Sequence, residues 1–428
     1  MFRYTKIAAA LVAGLALQTA QAAPITIRVQ AGDTQPNAAS GVPAVSANGK
    51  VVAFASAATN LVPDPTTGGL FSYDLVADRI DALLPFGGAQ LPSISAQGRY
   101  VAFATDANGL APGVDSSFLE ILRVDRETGS FARVSPGAGG VAPNGPSDAS
   151  AVSADGRWIA FTSLASNLVS PSTAGGRRHV YLADMDTGVV DLVTRNLDAT
   201  EGNRDSLTIE ASALSSDGRR LVFATGAENL TPVFAGNVSD VIVMTRDPQT
   251  GARSFQNVNR SVGGDVGTLS SDRGSISPNG RHVVFRTSAT NILAAQPGDS
   301  DLFVRDLDAN TLRAVRLPAG YDACNRARVS DNGDVLMQCA PSAPATALQV
   351  LYAPASGAAP RLVSVDWLDG SAGQGSSGQA FGLSADGKLI ALESQSTDLV
   401  DADTNIAADV FLVAEPAVFD GLFSDGFE

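Results

Sequence analysis

The chain has 428 residues, 44% hydrophobic and 17% charged, which is enough apolar material to bury one or two cores and too much for a disordered tail protein. Its 29 basic and 44 acidic residues leave a net charge of −15, which disfavours partners recognised mainly through their phosphates, nucleic acid and anionic lipid surfaces among them. Two histidines (His179, His282) and two cysteines exclude most zinc sites, haem ligation and triads drawn from several spare imidazoles.

The first 22 residues read as a secretory leader. Arg3 and Lys6 precede an apolar run over 7–17, and Ala20-Gln21-Ala22 forms a small-x-small cleavage site. The run is too short to span a bilayer, so cleavage near Ala23 is expected to release the chain to the periplasm or the medium. Loss of Arg3 and Lys6 takes the net charge to −17. An oxidising compartment also permits a disulfide.

Beyond the leader the chain repeats. Ser-Ala-Asn-Gly-Lys (46–50) returns in variant form, as Ser-Ala-Gln-Gly-Arg (95–99), Ser-Ala-Asp-Gly-Arg (153–157), Ser-Ser-Asp-Gly-Arg (215–219), Ser-Pro-Asn-Gly-Arg (277–281), Ser-Asp-Asn-Gly-Asp (330–334) and Ser-Ala-Asp-Gly-Lys (384–388), placing marker glycines at 49, 98, 156, 218, 280, 333 and 387. Each interval holds about four strands with their turns. An Asn-Gly or Asp-Gly pair between β-prone runs supplies the positive φ of a tight hairpin, so strand A ends at the Ser and strand B begins at the Lys or Arg. Five residues after the glycine, strand B carries Phe54, Phe103, Phe161, Phe223 and Phe285, then Gln338 and Leu392 in the last two copies. Such a ring fills space between stacked sheets. Asn60, Asn167, Asn229, Asn291 or Asp398 lies eleven residues after the glycine. Strand C is expected at 70–75, 120–126, 179–185, 240–246, 301–307, 348–353 and 409–414, and strand D at, for example, 130–135, 189–195 and 362–366.

Seven four-stranded antiparallel sheets without helices predict an all-β, seven-bladed β-propeller over 23–415, followed by a tail over 416–428. The last copy has strands A, B and C only, while residues 25–30 (Ile-Thr-Ile-Arg-Val-Gln) precede the first copy as an orphan strand D. The N-terminal strand is therefore expected to pair with 409–414 and close the ring.

The Ser-x-Asp-Gly-Arg pattern, its following apolar-apolar-x-Phe and the Asp-Val-Phe-like strand C resemble the WD40-like (PD40) propeller repeat of TolB-type periplasmic proteins, over roughly residues 25–415. The resemblance implies an exported propeller; members serve as scaffolds and as peptidase-associated domains. The terminus Phe419-Asp420-Gly421-Leu422-Phe423-Ser424-Asp425-Gly426-Phe427-Glu428 is similar to an aromatic-acidic ending of exported proteins in some Gram-negative bacteria.

Several residues are candidates for sites. Cys324 and Cys339 flank the sixth hairpin symmetrically and are expected to form a cross-strand disulfide. The basic residues after the marker glycines (Lys50, Arg99, Arg157, Arg219, Arg281, Lys388) are expected to pair with aspartates such as Asp74, Asp125, Asp184 and Asp306. Eight residues before the marker glycines stand Gly41, Gln90, Asp148, Glu210, Asp272, Asn325 and Gln379. At the start of the innermost strands they would form a polar ring around the channel mouth, suited to a cation, a basic peptide or a sugar. Arg273 and Arg326, one residue on, are expected on the opposite side if the strands are regular. In the last B–C loop, Asp401, Asp403, Asn405 and Asp409 have the spacing of oxygen ligands for calcium, without the Gly and Glu of an EF-hand loop. Gly373-x-Gly375-x-x-Gly378 opens no helix and is not a dinucleotide motif. No Gly-x-Ser-x-Gly occurs, and the histidines belong to different sheets.

These readings favour a non-enzymatic exported propeller that binds a protein or glycan partner through its mouth and its variable B–C loops. The alternative is a carbohydrate-active hydrolase or lyase using two of Asp148, Glu210 and Asp272, one with a raised pKa.

Overall fold

A computed structural model describes residues 24–414, except 65–66, 87, 113–116, 232–237 and 294–300. The leader and the tail lie outside the described residues. The rest is a β-propeller of seven antiparallel blades, with one 3-10 turn at Ala138–Gly140 as its helical content. No helix among the described residues is long and apolar enough to cross a membrane.

The hairpin explains the repeat residue by residue. In the first copy the Ser46 hydroxyl accepts from Val51 N and donates to Asn48 Oδ1, which accepts from Lys50 N. The same bonds recur around Ser153, Ser215, Ser277 and Ser384. The intervening glycine has φ between 67° and 86° in all seven copies, a conformation that favours glycine. The asparagine eleven residues on is a staple. Asn60, Asn167, Asn229 and Asn291 each accept from one backbone N–H of the incoming D–A loop and donate to a carbonyl of the same loop.

Blade 1 runs Ser40–Val45, Val51–Ser56, Gly69–Asp74, Arg79–Leu84 from the axis outward, and blades 2, 3, 5 and 6 repeat that order. Strand D is shorter than expected: Phe131–Arg133, Val189–Leu192 and Arg361–Leu362. The phenylalanines of strand B are buried, and Phe54, Phe161 and Phe285 stack on Phe71, Tyr181 and Phe303. Apolar clusters fill the joints between neighbouring blades, blade 7 against blade 1 included. The ring is closed.

Closure follows the expected register. Ile25–Arg28 pairs antiparallel with Asp409–Ala414, Ile25 opposite Ala414 and Arg28 opposite Phe411. Blade 4 departs from the pattern. Its regular sheet has three strands, Arg220–Thr225, Asp240–Arg246 and Arg253–Asn257. The innermost position is taken by 206–214, joined only by bridges at Ser206 and Leu214. A turn closed by Ala213 N to Glu210 O breaks the ladder there.

The repeated basic residues are structural where their partners are in reach. Arg99, Arg157 and Arg281 pair with Asp125, Asp184 and Asp306 of their own sheets at 2.7–2.8 Å. Asp74 instead faces Arg126 of the next blade at 3.7 Å, while Arg219 and Lys388 lie near Asp217 and Asp386 of their own turns. Cys324 and Cys339 oppose each other across strands A and B of blade 6 and form the disulfide.

Candidate functional site

Six of the seven innermost strands do not run straight. Their pairing with strand B shifts at 41/44, 90/93, 148/150, 272/275, 324/326 and 377/381, and Val42, Leu91, Ala149 and Arg273 adopt φ of 45–53°. An inserted residue resets the alternation of side chains. This overturns the expectation that Arg273 and Arg326 face away from the mouth. Arg273 lies 3.6 Å from Glu210, and the charge of Arg326 is felt by both Glu210 and Glu393.

The mouth is thus a mixed ring of arginines and carboxylates. Asp148 pairs with Arg178 and accepts from the Thr162 hydroxyl at 2.6 Å. Asp272 holds Arg286 through two bonds of 2.9 and 2.7 Å, and Arg286 donates onward to Asn325 Oδ1 at 3.0 Å. Glu210 pairs with Arg328 at 3.0 Å. Burial alone would raise the Glu210 carboxyl, but Arg328, Arg326 and Arg273 outweigh it and hold it below the usual range. Gln90 and Gln379 are exposed near the starts of their strands. The Arg326 side chain makes no hydrogen bond or ion pair with a described residue. A space of about 80 Å³ among the innermost strands is lined by Val45, Ile94, Val152, Ile276 and Leu383, with Arg328.

Glu393 was missed by the sequence reading. It stands at the end of strand B in blade 7 and faces a cleft of about 420 Å³ lined by Gly41, Val42, Ala57, Gly69 and Ala408. Its Oε2 accepts from Val42 N at 3.0 Å, and burial raises its carboxyl against the pull of that N–H and of Arg326. A Cβ at position 41 would come within 2.6 Å of Oε2, so glycine in the ring makes room for this carboxylate. A signal was present. The position six residues after the marker glycine holds Ala55, Ala104, Thr162, Ala224, Arg286, Cys339 and Glu393, and the position five before it holds Ala44, Ser93, Ala151, Ala213, Ser275, Arg328 and Gly382. Arg286, Arg328 and Glu393 stand out in columns of small residues.

The other candidates have different surroundings. Asp403, Asn405 and Asp409 do converge, but around Arg28 of the closing strand: Arg28 Nη1 lies 3.2 Å from Asp403 and 3.9 Å from Asp409, and Asn405 donates to Asp409 at 3.2 Å. Asp401 is exposed. Among the described residues no group of three or more His, Cys, Asp or Glu side chains is arranged as metal ligands. His179 is buried, with Nδ1 at 2.9 Å from the Thr194 hydroxyl, and burial lowers its pKa. His282 sits 3.6 Å from Asp306 in another blade.

No protein family matches the chain, and no curated relative does. Solved structures of similar fold exist. An oligogalacturonate lyase in complex with manganese is 13% identical with a TM-score of 0.57, covering 92% of this chain and 94% of that one. The β-propeller domain of the Trilobed protease from Pyrococcus furiosus is 12% identical, with a TM-score of 0.53 over 89% and 94%. A putative TolB from Agrobacterium tumefaciens is 16% identical over 66% and 83%, with a TM-score of 0.40. The chain is a seven-bladed propeller with TolB and oligogalacturonate lyase among its structural neighbours.

Proposed function

We propose that the protein is an exported, non-enzymatic binding platform whose channel mouth takes the carboxylates of an acidic oligosaccharide. Arg326 carries this reading. Its guanidinium lies near Glu210 and Glu393 without an ion pair to a described residue, while the carboxylate of Glu210 is already matched by Arg328. A guanidinium holds a carboxylate through two parallel N–H bonds, and the amides of Gln90, Asn325 and Gln379 suit sugar hydroxyls. The lyase among the structural neighbours acts, by its name, on a chain of carboxylate-bearing sugars. The net negative charge of the chain opposes any such ligand at long range, so the attraction is local and salt-sensitive.

Calorimetric titration of the mature protein with oligogalacturonate should give saturable binding, and a neutral oligosaccharide of the same length none. Arg326→Ala should weaken binding roughly tenfold, the worth of one charged hydrogen-bonded contact. Equal binding of the neutral sugar, or an unchanged affinity in the variant, would discard the reading.

A hydrolase or lyase is the second reading, and Glu393 favours it. Asp148, Glu210 and Asp272 are each tied to an arginine, which leaves Glu393, with its raised carboxyl, as the group suited to proton transfer. Turnover of an acidic polysaccharide that disappears in Glu393→Gln would establish it.

A further inference from the structure

The outer edge of blades 4 and 5 holds a second cleft, of about 340 Å³, whose lining includes Asn257, Arg260, Ser261, Arg305 and Asn310. Arg305 is 2% exposed. It lies one residue before the end of strand C, opposite Val283, at a place where the other six blades put Tyr73, Val124, Ala183, Met244, Tyr352 and Val413. Blade 5 therefore buries a cation where every other blade carries a side chain without charge.

Among the described residues no carboxylate pairs with that cation. Arg305 donates to the carbonyls of Val258 and Arg260 and to Asn310 Oδ1. These dipoles solvate the charge without neutralising it. Burial lowers its pKa, and no acidic group pulls the other way. A buried charge of this kind is costly unless a counter-ion completes it. Asn257, 7% exposed, lines the same cleft. Its Oδ1 accepts from Asn259 N at 3.2 Å, which fixes the amide orientation, and its Nδ2 has no partner among the described residues. An unpartnered buried N–H₂ group and an uncompensated guanidinium line one opening, with a second guanidinium at Arg260. Asp265 accepts from the hydroxyl of Ser261, one of the lining residues.

We infer that this cleft is an anion site that takes a phosphate or sulfate group. Such a group accepts bonds from several directions at once, matching donors that arrive from strand D of blade 4 and strand C of blade 5. The general repulsion of phosphates by an acidic chain is overcome here by local geometry.

The probes are inorganic phosphate and sulfate, titrated calorimetrically and by thermal shift against the full mature protein. At about 10 mM anion the wild type should bind saturably and melt at a higher temperature. Asn257→Asp supplies an internal carboxylate to Arg305, and it should abolish the anion-dependent shift while melting no lower than the wild type without anion. Ser261→Glu, at the half-buried rim, tests the same site if Asn257→Asp does not fold; it should weaken binding roughly tenfold. Arg79→Ala, on the exposed face of blade 1, should leave binding unchanged. The inference is overturned if the wild type shows no saturable binding, if the folded cleft variants retain it, or if Arg79→Ala removes it.

Discussion

At the closure, Arg28 and Asp409 repeat an arrangement that Arg133 and Glu120 make within blade 2. Arg28 lies opposite Phe411, two residues after Asp409, and Arg133 lies opposite Leu122, two residues after Glu120. Arg133 pairs with Glu120 as Arg28 approaches Asp409. The first residue of strand C meets a polar partner from the outer segment in other blades as well, as with Asp240 and Asn259 or Gln349 and Ser364. In blade 7 two carboxylates share that one arginine. Burial first, then Asp403, push the Asp409 carboxyl up to about 6, against Arg28. Since the unfolded value is about 3.9, the stability tied to the neutral form is complete below that pH and is lost as pH rises through 6. Asp409→Asn is neutral throughout. Between about pH 4 and pH 7 the wild type should lose on the order of 2 kcal/mol relative to this variant. Urea unfolding at both pH values measures the difference, and parallel profiles would exclude Asp409 as its source. Of the four residues grouped by spacing as calcium ligands, Asp403, Asn405 and Asp409 meet around Arg28 and Asp401 is exposed. That a guanidinium from the other end of the chain sits among them depends on closure, and local spacing does not contain it.

At the scale of the element, the hairpin was legible because its whole hydrogen-bond set lies within five residues. Glycine there does more than turn the chain. At Gly218 the φ is 67°, and an added Cβ would run into the Trp158 ring of the preceding blade. Gly251 has φ 72° with nothing near it. Gly218→Ala should therefore cost about 2–3 kcal/mol and Gly251→Ala only about 1, the backbone part alone. Denaturant midpoints separate the two, and equal shifts would refute a packing role for the marker glycine. The bulge in strand A was not legible. Its left-handed residue is Val42, Leu91, Ala149 or Arg273, none of which announces a positive φ, so Arg273 was assigned to the wrong side. Blade 4 likewise lost its regular inner strand to a turn at Glu210 that composition does not signal.

For the whole molecule, closure by strand exchange sets stability and solubility together. Ile25, Ile27 and Val29 pack into the joint of blades 7 and 1, and their strand covers the edge of Asp409–Ala414. A chain lacking residues 1–30 should melt several degrees lower than one lacking residues 1–22 and associate at high concentration, because an uncovered apolar edge strand pairs with other chains. Melting curves and light scattering test this. A monomer of unchanged melting temperature would mean that blade 7 stands without its borrowed strand.

By itself the sequence determined the blade count, the strand order, the disulfide partners and the closing strand. Each of these rests on a period, an alternation or a turn that acts over a few residues and recurs. The composition of the mouth was decided by tertiary structure. Which side a residue faces after a bulge, and which arginine meets which carboxylate, depends on blades about fifty or more residues apart being brought around one axis. Arg326, Glu393 and Arg305 each depart from the repeat, and their meaning lies in the neighbours that the ring supplies or withholds.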